Sequence, residues 1–240
     1  MARTRRRTIG LVAGAAVAVL AVAIAGGLWF FFRDDAPEQA SIEAAGKTLG
    51  QGSGDAARAD GTWTVDPTVG KFADFSNTWA GYRFNEQLSK IGAVTAVGRT
   101  PGVTGTMTVD GGKVTDVALN VDLTKLTSDK AYRDKALHHR GLESDKYPMA
   151  TFKLADPVAI PAAGSSGQVT TTVDGTLTAH GVTKDIKVDV EARMSNGHIA
   201  VVGRAPVQMS AFNIKPPTGY AVLSIKDQGM FEFQIFFTKA

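Results

Sequence analysis

The stretch Val169-Thr-Thr-Thr-Val-Asp-Gly-Thr-Leu-Thr-Ala-His-Gly-Val-Thr-Lys184 decides the fold. Val169, Thr171, Val173, Gly175, Leu177 and Ala179 alternate with polar neighbours, the period-2 signature of a half-buried strand. His180-Gly181 then turns the chain, and Ile186, Val188, Val190, Ala192 and Met194 form the apolar face of the next strand. Working outward, Ser195-Asn-Gly197 carries the chemistry of a two-residue hairpin and leads into Ile199-Ala-Val-Val202. Asp110-Gly-Gly112 joins Val103–Val109 to a strand whose face is Val117, Leu119, Val121 and Leu123. The last run sets Phe231, Phe233, Ile235 and Phe237 on one face. Further strand candidates are Trp63–Asp66, Trp79–Phe84, Ala93–Arg99 and Met149–Leu154. A single helix is expected over Ser128–Arg140, with Ser128 capping its first turn. An all-β meander of this kind closes into an antiparallel barrel of about eight strands, removing its edges, or folds as a β-sandwich.

The rest of the chain divides by composition. Residues 1–8 are basic, and Ile9–Phe32 carries no charge, enough for a helix of roughly 36 Å at about 1.5 Å per residue. This predicts a transmembrane helix across a hydrocarbon core of about 30 Å. Arg3, Arg5, Arg6 and Arg7 before it, with Asp34 and Asp35 after it, place the N-terminus in the cytoplasm and the folded part outside the cell membrane. A cleaved signal peptide is the alternative, since Ala23-Ile-Ala25 resembles a cleavage site; the apolar run continues past it through Leu28–Phe32. Residues 33–61 are rich in small and acidic residues and read as a flexible tether, leaving 62–240 as the folded domain. The formal charge of +3 resides mostly in the N-terminal arginines, so the basic balance gives no reason to expect nucleic acid. The absence of cysteine excludes a disulfide framework, a thiolate metal site and a cysteine nucleophile.

Taken in order, Trp63-Thr-Val-Asp66, Val121–Asp129 with Tyr132-Arg-Asp134, Tyr147-Pro-Met-Ala-Thr-Phe152 and Gly175–Lys184 resemble the motifs of the YceI-like family. Met209-Ser-Ala-Phe-Asn-Ile214 occupies the place of a family segment that usually reads like Ser-Asp-Phe-Gly-Ile, with Ala211 and Asn213 replacing the Asp and Gly. The resemblance implies an extended, lipocalin-like antiparallel barrel whose apolar tunnel holds an isoprenoid-type lipid, such as a polyprenyl phosphate or a quinone. It also implies a membrane-tethered binding protein rather than an enzyme, with no cofactor. The oligomeric state is not legible.

His180 is the residue best suited to chemistry near neutral pH. Its register opposite Val173, Leu177 and Ala179, and its place before Gly181, favour a structural bond at the corner. His138 and His139 are adjacent on the expected helix and point about 100° apart, so they cannot share a metal. His198 falls at a hairpin. Arg133, beside Asp134, is expected either in a salt bridge to the barrel or on a ligand's headgroup. No Gly-x-Ser-x-Gly elbow, His-Glu-x-x-His pair or phosphate loop is present, so no catalytic or metal-binding residue is assigned. The expected ligand-binding residues are Tyr82, Phe84, Arg133 and Phe152, together with His180, Phe231 and Phe233. Two other readings stay open: an enzyme acting on a lipid or quinone head through His180, and a filled barrel serving only as an interaction module.

Overall fold

Three hairpin turns fix the sheet, each with two successive residues at positive φ, as type I′ turns require. They are Gly111-Gly112 (φ 56° and 73°), His180-Gly181 (51° and 73°) and Asn196-Gly197 (49° and 75°). The computed structural model describes residues 21–26, 36–50, 59–89, 92–128, 131–164, 167–218 and 222–240. These turns join β4 (Val103–Asp110) to β5 (Lys113–Asp122), β9 (Gln168–Ala179) to β10 (Val182–Ser195), and β10 to β11 (His198–Gln208). The other strands are β1 (Gly61–Val65), β2 (Trp79–Leu88), β3 (Gly92–Thr100), β6 (Thr127–Ser128), β7 (Met149–Leu154), β8 (Val158–Ala159) and β12 (Val222–Lys239).

Among the described residues, eight antiparallel strands form a ring in the order β1-β4-β5-β7-β9-β10-β11-β12. The ring closes where β12 pairs with β1 through Trp63↔Lys239, Thr64↔Thr238 and Val65↔Phe237. This closure decides for the barrel over the sandwich. Further along the same edge of β12, β2 takes over from β1, from Gln234↔Trp79 to Val222↔Leu88. β3 pairs with β2, and the short β6 pairs with β3.

Two clusters line the inner face. One gathers Trp63, Met107, Leu119, Ile199 and Phe237; the other gathers Tyr82, Phe84, Leu126, Leu137 and Phe212. The Trp63 indole N–H donates to the Ala59 carbonyl at 2.7 Å, so its polar edge is satisfied as its rings are buried.

The helix expected over Ser128–Arg140 is shorter: α2 spans Ala131–Ala136 and continues as a π turn over Leu137–Gly141. Ser128 pairs with Gly98 in the sheet, ahead of the helix. Its N–H and hydroxyl both donate to the Asp134 carboxylate, at 2.7 and 2.6 Å, so strand and helix are tied together there.

The flexible tether expected over 33–61 is corrected for residues 36–50, which form a strap on the outside of the barrel. Helix α1 (Ile42–Leu49) has Ser41 as its N-cap and buries Ile42, Ala45 and Leu49 on one face. Beneath it lie Trp79, Ala200, Val202 and Phe236, an outward-facing apolar patch of the sheet. The β10–β11 turn satisfies the helix's last carbonyls: Asn196 Nδ2 donates to Leu49 O at 2.7 Å and Ser195 Oγ to Gly50 O at 2.9 Å. Ile42 is 1% exposed, so Ile42→Val is expected to cost about 1 kcal/mol, read as a lower urea midpoint at unchanged slope.

The chain divides into two units, Met1–Asp35 and Ala36–Ala240. The membrane segment expected over residues 9–32 lies largely outside the described residues, of which 21–26 are helical. Among the described residues no helix is long and apolar enough to cross a membrane.

Candidate functional site

Strand parity aims one face of every barrel strand inward, and at one end these faces do not meet. They enclose a cavity in which the centre of a water molecule can range over about 160 Å³. The wall is almost wholly aliphatic and aromatic. Tyr82 and Phe84 come from β2, Phe152 from β7, Phe231 and Phe233 from β12. Leu137 and Leu142, on the π turn and just after it, close one side. The interior is therefore not filled solid.

The aromatic rings lie close to the wall because glycines stand beside them. A Cβ built on Gly203 would overlap the Phe233 ring, and one on Gly229 would overlap Phe84. Each glycine is the cross-strand neighbour of its aromatic, Gly203↔Phe233 and Gly229↔Phe84. Phe212 and Phe231 continue the wall with ring centroids 6.1 Å apart, tilted at 54°.

One ion pair interrupts the apolar wall. Glu86 shares the inner face of β2 with Tyr82 and Phe84, and its carboxylate accepts from the Arg133 guanidinium of α2. Both side chains are buried, and both line the cavity. Arg133 thus meets the barrel, as one of its two expected roles required, while staying within reach of the interior. Glu86 escaped the sequence reading although its alternation with Tyr82 and Phe84 was there to see.

His180 does not line the cavity. Its Nδ1 meets the Phe212 carbonyl at 3.1 Å, its Nε2 meets Glu143 at 2.7 Å, and its ring lies against Tyr147 with centroids 4.4 Å apart, tilted at 54°. It occupies the first positive-φ position of the β9–β10 turn and ties two segments that do line the cavity, the loop after the π turn and the 3-10 turn Met209–Phe212. Two of the other histidines bond locally, His138 to Ser144 and His139 to Asp145, and His198 reaches Asp66 far back in the chain. Desolvation opposes ionisation of Asp66, but the Thr68 hydroxyl and N–H, with His198, hold its carboxyl below the usual range.

A second polar cluster lies outside the barrel, under the strap. Arg83 and Arg99 pair with Glu232 at 3.4 and 3.0 Å, and Arg204 sits directly across the sheet from it. The three guanidinia donate to the carbonyls of Pro37, Glu38 and Ala40 respectively. Burial pushes the Arg99 guanidinium below its ordinary value, with Glu232 opposing the shift.

The closed ring, the single helical excursion and the motif order agree with a family model described as the YceI-like domain, which matches residues 63–237. The chain belongs to the YceI-like family. Among solved structures, the YceI-like chain is similar to Burkholderia cenocepacia BcnA at 17% identity, with a TM-score of 0.50 over 77% of this chain and 99% of that one. It is also similar to a polyisoprenoid binding domain from Saccharophagus degradans implicated in plant cell wall breakdown (18% identity, TM-score 0.49, 67% and 94% covered). A third is the Campylobacter jejuni YCEI protein (18% identity, TM-score 0.47, 60% and 85% covered). No curated protein matches the chain.

Proposed function

We propose that this YceI-like protein binds an isoprenoid-type lipid, a polyprenyl phosphate or a quinone, with its chain in the barrel cavity, and acts as a carrier or buffer rather than an enzyme. The observation that carries the reading is the cavity wall. Aliphatic and aromatic side chains from β2, β5, β7, β9, β10, β11 and β12 surround one space, in which Glu86–Arg133 is a neutralised pair. Burying apolar surface stabilises by roughly 25 cal/mol per Å², so an extended hydrocarbon chain gains affinity along the whole length enclosed. Tyr82, Phe84, Phe152, Phe231 and Phe233 are the contacts for that chain, and Arg133 stands where a polar group could meet it. His180 serves by holding the cavity's walls together. The alternative of an enzyme using His180 gains a carboxylate partner in Glu143, but that pair is turned toward Tyr147 and the Phe212 carbonyl and stands apart from the cavity lining.

Solvent extraction of the full-length purified protein, followed by mass spectrometry, is expected to recover a prenyl lipid in near-stoichiometric amount. Recovery of none, together with no saturable binding of added prenyl lipids, would overturn the reading.

The membrane tether belongs to the same proposal: Ile9–Phe32 anchors the chain with its N-terminus in the cytoplasm and the barrel outside. The chain has no cysteine, so an Asp110→Cys variant provides one unique thiol on an exposed turn. A membrane-impermeant maleimide should label it in intact cells, and labelling only after lysis would refute the orientation.

A further inference from the structure

The barrel ring is incomplete along one seam. β10 and β11 pair only between Asp189↔Arg204 and Ser195↔His198, although β10 begins at Val182 and β11 runs on to Gln208. Over residues 182–188, β10 keeps β9 as its partner; over 205–208, β11 keeps β12. The two strands part there, and the 3-10 turn Met209–Phe212 packs into the space against β10, β11 and β12. This is the segment whose motif the sequence singled out. Asn213 ends it at φ 56°, the position where a glycine is usual. Ser210 is tied to Asp227 by its N–H (2.8 Å) and hydroxyl (2.6 Å), and the Phe212 carbonyl is tied to His180.

Outside this turn lies a groove of about 880 Å³. Its lining differs from the cavity's: Lys184 and Asp185 on β10, Ala211 on the 3-10 turn, Gln208 on β11, Gln228 on β12 and Asn85 on β2 set polar groups among apolar ones such as Pro206 and Met230. Ile186, Val207, Gln208 and Phe212 line both spaces. The residues common to both walls therefore separate a groove of mixed polar and apolar lining from an almost wholly apolar cavity.

We propose that this groove is the headgroup site of the lipid: the isoprenoid chain enters the cavity through the β10–β11 seam beside Phe212, and its polar head stays in the groove. The inference rests on the isoprenoid reading above. The head it fits carries oxygen acceptors, either quinone carbonyls or phosphate oxygens, because the groove offers the amide N–H groups of Asn85, Gln208 and Gln228 and the ammonium of Lys184. The tail and head of such a lipid need adjoining apolar and polar surfaces, and the seam is where this barrel provides both.

The test uses the full-length protein in detergent, with decylubiquinone, farnesyl diphosphate and inorganic phosphate as probes. A bimane on Asp185→Cys reports the groove, and one on Asp110→Cys reports the β4–β5 turn as a control. One or both prenyl probes should shift bimane emission at position 185 and leave position 110 unchanged, at the concentration where calorimetry shows binding. Ala211→Trp, which fills the groove, should weaken that binding at least tenfold with an unchanged thermal midpoint. The seam assignment fails if the prenyl probes bind by calorimetry yet the label at 185 stays silent, or if a folded Ala211→Trp binds as the parent does. A response at 185 to inorganic phosphate alone, with none to either prenyl probe, also overturns it by making the groove an anion site. If no prenyl probe binds the parent protein, the isoprenoid reading fails and the seam assignment with it. Should Ala211→Trp not fold, the label at 185 decides by itself.

Discussion

Glu232→Ala is expected to lower stability by about 3–5 kcal/mol, as when one partner is removed from a buried charge network. Glu232 is 2% exposed and faces three arginines. Arg99 reaches it over Gly81, with its guanidinium 3.8 Å from the Trp79 ring centroid and 4.5 Å from that of Phe75. Without the carboxylate, Arg83 and Arg99 would repel each other in a site that already disfavours the charge on Arg99. Glu232→Gln keeps an acceptor but loses the charge, and should fall between parent and alanine variant. Urea unfolding measures the loss. Limited proteolysis gives its location, because the strap held by these arginines should become cleavable between residues 36 and 50 before the barrel does. A Glu232→Ala protein as stable as its parent would show that the strap carbonyls alone satisfy the three guanidinia.

Gly203→Ala and Gly229→Ala are expected to weaken binding as well as folding. Each new methyl would collide with a ring, Phe233 or Phe84, that now lies against the wall. The ring must swing toward the lumen, at a cost of about 1–3 kcal/mol for overpacking. In a cavity this narrow, one displaced ring obstructs the path of an extended chain. Prenyl-lipid affinity should therefore fall by roughly tenfold or more, equivalent to about 1.4 kcal/mol, in either variant. The control is Gly111→Ala in the β4–β5 turn, where an added Cβ meets nothing. It should cost stability through its positive φ and leave affinity unchanged. Equal affinity in the parent and both wall variants would mean the rings do not border the ligand.

The turns and strand faces were legible in the sequence because their signals are local. His180-Gly181 and Asn196-Gly197 announce their hairpins, and the inward faces of β5, β9 and β12 follow from alternation. Ring closure was not legible, since Trp63 meets Lys239 across almost the whole barrel domain and nothing local specifies that pairing. The strap illustrates a different failure. Ser41, Ile42, Ala45, Leu49 and Gly50 spell a capped amphipathic turn pair, yet eight residues are too few to hold a helix alone, and the stabilising surface is supplied by β11 and β12.

At the site, Tyr82 and Phe84 share one strand face and Phe231 and Phe233 another, while Phe152 stands out by its motif; the structure sets all five in the cavity wall beside Arg133. What parity could not supply was register. Only the cross-strand pairing shows that Gly203 and Gly229 leave room for aromatic rings, or that β10 and β11 part company after Asp189↔Arg204. His180 was legible as a corner residue, but its partners Glu143 and Phe212 lie far away in sequence.

The arginines under the strap grip carbonyl oxygens, a group that every residue carries whatever its side chain. Recognition of this kind is indifferent to composition. Pro37 and Glu38 could each be exchanged without removing an acceptor, so charge and polarity there can change while the attachment persists; Ala40 is held by its buried side chain as well. The demand for particular side chains then falls on Ala40, Ile42 and Ala45, which are buried, and on the arginines themselves.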